Sequence, residues 1–243
     1  MKKHSNNGIH YPFMIRFAYI KIPVDLPAIK KEIMQLPSTW QPHLNVLHYT
    51  GDWSVLSLRS PGGNENNAVA DLLHSVSFED TPLMKQCASV KKLLDGLGCP
   101  IMSVRLLNLK RGSYIKPHKD AELCYEQGEA RLHIPIITNE QVSFYSEDEL
   151  IPMKEGECWY INANLKHSVA NAGNSDRIHL VIDCKVNAPL TELFESAERT
   201  EIPDRDVLDT VNTKNIIEEL KRQNTPTTLQ LANSLEEKLS RQL

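Results

Sequence analysis

The chain has 243 residues, enough for one large domain or two small ones, and a hydrophobic fraction of 41% that allows a full core. Its formal net charge is −4, from 27 basic and 31 acidic residues, with no basic block of the kind that tracks a phosphate backbone, which argues against nucleic acid as a direct ligand. No apolar run approaches a membrane span, residues 1–8 lead into no signal-type apolar region, and the five scattered cysteines (Cys87, Cys99, Cys124, Cys158, Cys184) form no C-x-x-C pair; a cytoplasmic protein with reduced thiols is expected.

Residues 13–22 look like a strand. Over 27–36 the apolar residues Ile29, Ile33, Met34 and Leu36 fall at helical spacing, with Pro27 near the first turn. Residues 44–49 and 53–58 read as two strands joined by Thr50-Gly51-Asp52. Pro61-Gly62-Gly63-Asn64 opens a polar loop through about residue 67, expected as a mobile lid. Residues 81–97 read as a helix that stops at Gly98, with Pro100 reinforcing the stop.

From 101 to 187 the pattern is mainly β, with strands expected at 101–110, 130–137, 142–145, 157–161, 167–170 and 177–186. Tight turns lie at 154–157 and 171–175, and short strands between turn signals predict a barrel or sandwich. After Pro189 the character changes: 191–199, 205–223 and 227–243 look helical, with apolar stripes through Val207, Leu208, Val211, Ile216, Ile217 and Leu220, and through Leu229, Leu231, Leu235, Leu239 and Leu243. The expected organisation is a β domain over 1–187, including the N-terminal strands and helices, and a helical extension over 188–243. That extension packs either on the barrel or on a partner subunit as a homodimer surface.

The chemistry concentrates at His118-Lys119-Asp120, followed by His167. In an extended strand residues i and i+2 face the same way, so His118 and Asp120 can reach one ion while Lys119 points away. Two imidazoles and a carboxylate on one face form the ligand set of non-haem Fe(II), with the opposite face open to a bidentate 2-oxo acid and O2. The bland alternative is a surface histidine beside a turn aspartate. Arg177 follows His167 by ten residues, and its planar fork suits the far carboxylate of 2-oxoglutarate. Arg131 and His133 share one face of an otherwise apolar strand, opposite Leu132, Ile134 and Ile136; Arg177, His179, Val181 and Asp183 repeat this arrangement opposite Ile178, Leu180, Ile182 and Cys184. One face of each strand therefore lines a polar cavity, or is a solvent-facing stripe.

The stretch from Val104 to Lys185 resembles the aspartyl/asparaginyl β-hydroxylase family. The matching pieces are Lys116-Pro117-His118-Lys119-Asp120, Arg131-Leu132-His133-Ile134-Pro135, Gly156-Glu157-Cys158-Trp159-Tyr160-Ile161 with Asn162, Lys166-His167-Ser168-Val169, and Arg177-Ile178-His179-Leu180-Val181-Ile182-Asp183. The resemblance implies a mainly β fold with helical additions: a double-stranded β-helix (a jelly roll, cupin-like) core plus the C-terminal helices. It implies an Fe(II)- and 2-oxoglutarate-dependent dioxygenase, with His118, Asp120 and His167 as iron ligands. Arg177 would bind the remote carboxylate of 2-oxoglutarate, and Arg131 and His133 would line the same cosubstrate site. The animal members that act on epidermal-growth-factor-like domains lack the carboxylate ligand. Asp120 and Thr138-Asn139-Glu140 bring this chain closer to the bacterial branch, which includes a proline hydroxylase acting on the free amino acid.

The expected reaction is hydroxylation of an unactivated C–H of an amino acid, free or in a short peptide, with release of succinate and CO2. Two readings compete with it: a cupin-type metalloenzyme that uses no 2-oxoglutarate, and a non-catalytic binding or sensor barrel. For the substrate, Trp53, Arg59 and Arg105 are expected to face the cavity, with Arg59 or Arg105 on a carboxylate and Glu122 on an amino group.

Overall fold

The computed structural model describes residues 13–36, 40–67, 76–120, 123–203 and 210–240. The first half contains β1 (Phe13–Ile20), α1 (Leu26–Met34), β2 (Gln41–Pro42), β3 (Tyr49–Thr50), β4 (Trp53–Pro61), β5 (Phe78–Asp80) and α2 (Ala88–Gly96). The β-rich centre contains β6 (Ile101–Leu109), β7 (Tyr114–His118), β8 (Glu129–Ile137), β9 (Val142–Ser146), β10 (Glu149–Leu150), β11 (Cys158–Ile161), β12 (His167–Asn171) and β13 (Arg177–Lys185). It is followed by α3 (Ala188–Glu195), β14 (Glu198–Pro203), α4 (Thr210–Gln223) and α5 (Pro226–Ser240).

The described residues form two compact units: one within 15–200, the other taking 13–14 together with 201–203 and 210–240. In the first, a large sheet has the order β14-β1-β11-β8-β13-β6-β4-β2, with β5 on β4, and a small sheet has the order β10-β9-β12-β7-β3. From β6 to β13 the chain alternates between them: β6, β8, β11 and β13 belong to the large sheet, and β7, the β9–β10 hairpin and β12 to the small one. That alternation is the winding of a double-stranded β-helix, the jelly-roll solution to exposed sheet edges.

Period-two alternation assigns the two faces of the large sheet. Leu106, Leu132, Ile134, Ile136, Leu180 and Ile182 point outward into the principal core. Helices cover this face, contributing Ile29 and Ile33 from α1, Val90, Leu93 and Leu94 from α2, and Leu190 and Phe194 from α3. The inner face meets the small sheet through a second apolar cluster that includes Trp53, Leu107, Ile115, Phe144, Ile161 and Val169. In the other unit α4 and α5 share a small core of Ile217, Ala232 and Leu239, with Leu220 and Leu235 packed against it.

Local chemistry sets the helix starts. Asp25 caps α1, its side chain accepting from the Ala28 N–H at 3.2 Å, and Pro27 lies in the first turn as expected. Asn187 caps α3, accepting from the Leu190 N–H at 3.1 Å, so this helix begins before the expected 191. Its C-terminal part is not helical: Glu198–Pro203 is the strand β14. The helix expected over 81–97 is broken at buried Cys87 (φ −120°, ψ 58°) into a 3-10 turn, Pro82–Gln86, and α2. The strand expected over 44–49 is instead a 3-10 turn, Val46–His48, leading into the two-residue β3. Leu44, Val46 and Leu47 are all exposed, so no core face holds them to a strand's alternation. The polar loop after Pro61 is tied back to β4, with the Ser57 and Ser60 hydroxyls donating to the Asn67 and Asn64 carbonyls. Residues 204–209 and 241–243, parts of two expected helices, lie outside the described residues.

Candidate active site

β7 and β12 are antiparallel neighbours, and their register sets His118 directly opposite His167. The two rings lie 4.3 Å apart between centroids. Each Nδ1 meets a carbonyl two residues back in its own chain, Lys116 O at 2.8 Å for His118 and Leu165 O at 3.0 Å for His167. A proton on Nδ1 donating to a carbonyl leaves the Nε2 lone pair free, the form in which imidazole binds a metal. Asp120 lies two residues beyond His118 and is anchored by its own N–H, which donates to Ala163 O at 2.8 Å. Its Oδ1 is 3.6 Å from His118 Nε2, while its Oδ2 accepts from Arg131 Nη1. One candidate ligand atom from each of His118, Asp120 and His167 lies within 4.8 Å of the others.

Electrostatics favour the ligating forms. Burial, reinforced by His118, lowers the His167 pKa to about 4, so its ring is neutral at pH 7. Burial alone would raise Asp120; Arg131 foremost, then His167 and His118, bring it below the ordinary carboxylate value. The donor set fits Fe(II): two imidazoles and one carboxylate whose candidate ligand atoms lie close together. Lys119, expected to point away, lines the same cavity, because β7 ends at His118 and strand alternation ends with it.

That cavity has a volume of about 500 Å³ and brings the triad together with Trp53, Arg105, Arg131, His133 and Arg177. Arg177 is 1% exposed, and no carboxylate pairs with it among the described residues. Its Nη2 donates to His179 Nδ1 at 2.8 Å, its guanidinium carbon lies 5.8 Å from the centre of the Phe144 ring, and its Nε has no partner. Burial pushes its pKa down to about 9, which still leaves it charged at pH 7. A buried cation with an orphaned donor fits the carboxylate of an organic acid. His133 and His179, both buried, are held neutral by burial first and by Arg177 second, and His133 Nδ1 has no partner.

Arg131 lines the cavity, but its three nitrogens are committed. Nε donates to Asp183 Oδ1 at 2.7 Å, Nη2 to Asp183 Oδ2 at 3.1 Å, and Nη1 to Asp120. Arg105 lines the cavity too, with Nη2 on Asp183 Oδ2 at 2.7 Å and a buried Nε that has no partner. Trp53 contributes a buried indole N–H without a partner. His43, which carried no signal in the sequence, stacks on Trp53 with centroids 3.5 Å apart and an interplanar angle of 11°.

Arg59 does not reach this cavity. A register shift between Ser57 and Arg59 in the β4–β6 pairing reverses the alternation, setting Arg59 across from Val104, whose side chain belongs to the outer core. Arg59 instead pairs with Asp80 at 2.7 Å, donates to Ile101 O and Phe78 O, and lines a separate cavity of about 350 Å³ beside Lys91 and Cys99. Glu122 lies outside the described residues. All five cysteines are free, and no described helix is long and apolar enough to cross a membrane.

Comparison with known proteins matches residues 24–186 to the model of the aspartyl/asparaginyl beta-hydroxylase family. The chain is 25% identical over 202 residues to an L-proline cis-4-hydroxylase of Rhizobium meliloti (strain 1021), covering 82% of this chain and 69% of that protein. It is 25% identical over 154 residues to L-proline cis-3-hydroxylase 2 of a Streptomyces species, covering 62% of this chain and 53%, about half, of that protein. Among solved structures, a 2OG-Fe(II) oxygenase-family oxidoreductase from Burkholderia pseudomallei superposes with a TM-score of 0.44 at 14% identity, covering 66% of this chain and 78% of that one. With two thirds of its length matched to one family model, and with a His-Asp-His group suited to iron and a buried arginine suited to an oxo acid, the chain belongs to the aspartyl/asparaginyl β-hydroxylase family and is an Fe(II)- and 2-oxoglutarate-dependent dioxygenase.

Proposed function

We propose that the protein hydroxylates an unactivated C–H of an amino acid, free or in a short peptide, at an iron held by His118, Asp120 and His167. The observation that carries this reading is one cavity shared by a ligand triad and a buried arginine that no carboxylate in the described chain neutralises. A proline-like substrate is the first candidate, because the relatives of similar sequence are named as hydroxylases of L-proline. A cytoplasmic location is part of the proposal, as is a homodimer formed through the helical extension over 188–243.

The chemistry supplied by Fe(II), 2-oxoglutarate and O2 when bound is replacement of C–H by C–OH, as 2-oxoglutarate becomes succinate and CO2. The chain's part is to bind, orient and keep dry. Arg177 would offer its free Nε–H and the edge of its guanidinium to the remote carboxylate of 2-oxoglutarate, with His179 holding Nη2 in place. His133, kept neutral by its surroundings, lines the same end without adding a second charge. On the substrate side the unpartnered N–H groups of Trp53 and Arg105 suit an acceptor such as an amino-acid carboxylate. Leu107, Ile115, Phe144, Ile161 and Val169 supply the apolar walls that exclude water.

The test begins anaerobically. Protein with Fe(II) and 2-oxoglutarate should develop a metal-to-ligand charge-transfer band; metal binding without that band sinks the cosubstrate assignment. Under air, L-proline, other free amino acids and short prolyl peptides are then screened by mass for added oxygen against succinate release. Succinate with no oxygenated product from any of them removes the amino-acid substrate class.

A further inference from the structure

We infer that Asp183 is a positioning residue that holds the candidate ligand Asp120, through Arg131, in the orientation in which one carboxylate oxygen faces the metal. This rests on the reading of Asp120 as an iron ligand and extends it to a residue on the opposite sheet. Asp183 lies on β13, across from Arg131 of β8 in the register, and is 1% exposed. Its Oδ1 accepts from Arg131 Nε at 2.7 Å; its Oδ2 accepts from Ser103 Oγ at 2.7 Å, Arg105 Nη2 at 2.7 Å and Arg131 Nη2 at 3.1 Å.

Two bonds from Arg131 to one carboxylate fix the plane of the guanidinium, because the fork is rigid. With the plane fixed, the third nitrogen, Nη1, has one direction left, and it meets Asp120 Oδ2. Oδ2 is thereby occupied, and Oδ1, on the His118 side, stays available as the single ligating oxygen. The charges alternate along the chain of contacts: Arg105 positive, Asp183 negative, Arg131 positive, Asp120 negative. Stability alone is a poor reason for such a buried network, since well-packed apolar residues usually do as well or better. Its place on the cavity wall, ending at a candidate ligand, gives it a functional reason.

The test is anaerobic Fe(II) titration of metal-free protein without cosubstrate, comparing wild type with Asp183→Asn and with the charge-balanced double variant Arg105→Met/Asp183→Asn. Loss of an outer partner of a metal ligand typically weakens binding about 10–100-fold. Asp183→Asn should therefore weaken Fe(II) by about that factor, while the KM for 2-oxoglutarate, governed at Arg177, stays within about twofold. The double variant should regain thermal stability and remain weak for iron. Wild-type iron affinity in Asp183→Asn, or its recovery in the double variant, overturns the inference and leaves the iron site standing. Wild-type protein that binds no Fe(II) overturns both. Should Asp183→Asn fail to fold, the double variant decides alone: weak iron binding supports the inference and wild-type binding overturns it.

Discussion

Replacing Arg177 with methionine separates the demands of binding from those of folding. In the folded chain the guanidinium is 1% exposed, and burial lowers its pKa from the ordinary arginine value to about 9. Each pH unit of such a shift corresponds to about 1.4 kcal/mol, so the charged form carries a burial penalty of roughly 5 kcal/mol. Against that stands its hydrogen bond to His179 Nδ1 at 2.8 Å, whose loss leaves a buried acceptor unsatisfied at a cost of about 1–3 kcal/mol. Metal-free Arg177→Met is therefore expected to be as stable as wild type, or up to a few kcal/mol more stable, by urea denaturation. For the cosubstrate the sign reverses. Two charge-assisted hydrogen bonds at about 1.5–3 kcal/mol each amount to about 3–6 kcal/mol, so the KM for 2-oxoglutarate in succinate release should rise by roughly 10²–10⁴. A KM within twofold of wild type would refute Arg177 as the anchor of the cosubstrate. A fall of several kcal/mol in metal-free stability would show that the cation is already well paired.

His133 and His179 are neutral in the fold, with pKa values well below 6.5, so stability is full above about pH 6.5 and falls as the unfolded chain takes up protons below it. These two histidines predict a loss of about 1.4 kcal/mol each per pH unit between roughly pH 6 and 5, read by denaturation of metal-free protein; a flat profile there contradicts it. Asp183 acts in a lower window, its depressed pKa contributing stability above the ordinary carboxylate range that disappears only in stronger acid. Gly51 has φ +85°, and a Cβ there would stand 2.9 Å from Ser113 Cα, so Gly51→Ala should lower unfolding stability by about 1–3 kcal/mol. Arg59→Ala, remote from the cavity, should leave the KM for the hydroxylated substrate unchanged and cost no more than about 1 kcal/mol through its partly exposed pair with Asp80; a large rise in that KM would return Arg59 to the site.

What could be read from the sequence follows the strand period. Arg131 with His133, and Arg177 with His179 and Asp183, announce a polar wall because their neighbours Leu132, Ile134, Leu180 and Ile182 announce the opposite, apolar face. The same logic fails at Arg59: an even spacing from Trp53 predicts a shared face, and one register shift in β4 cancels it. The apolar spacing of Leu44, Val46 and Leu47 imitates a strand, yet these side chains are exposed and the chain makes a 3-10 turn there, while His43, next to β2, donates its N–H to Trp53 O at 2.8 Å and stacks on the Trp53 ring. That His118 and His167 stand face to face depends on the β7–β12 register, which local sequence does not encode. Nor does spacing say that Arg131 would spend all its nitrogens on Asp120 and Asp183.

The two histidines stand on the small sheet, whereas Arg177 stands on the large one. Facing sheets keep a separation of about 10 Å that is set by the side chains filling the gap. Here that filling includes Ile115, Phe144 and Val169 from one side and Leu107, Ile161 and Val181 from the other. These apolar residues work as a caliper: their bulk fixes the span between the candidate ligands and the buried Arg177, and with it the length of dicarboxylate that would bridge the two.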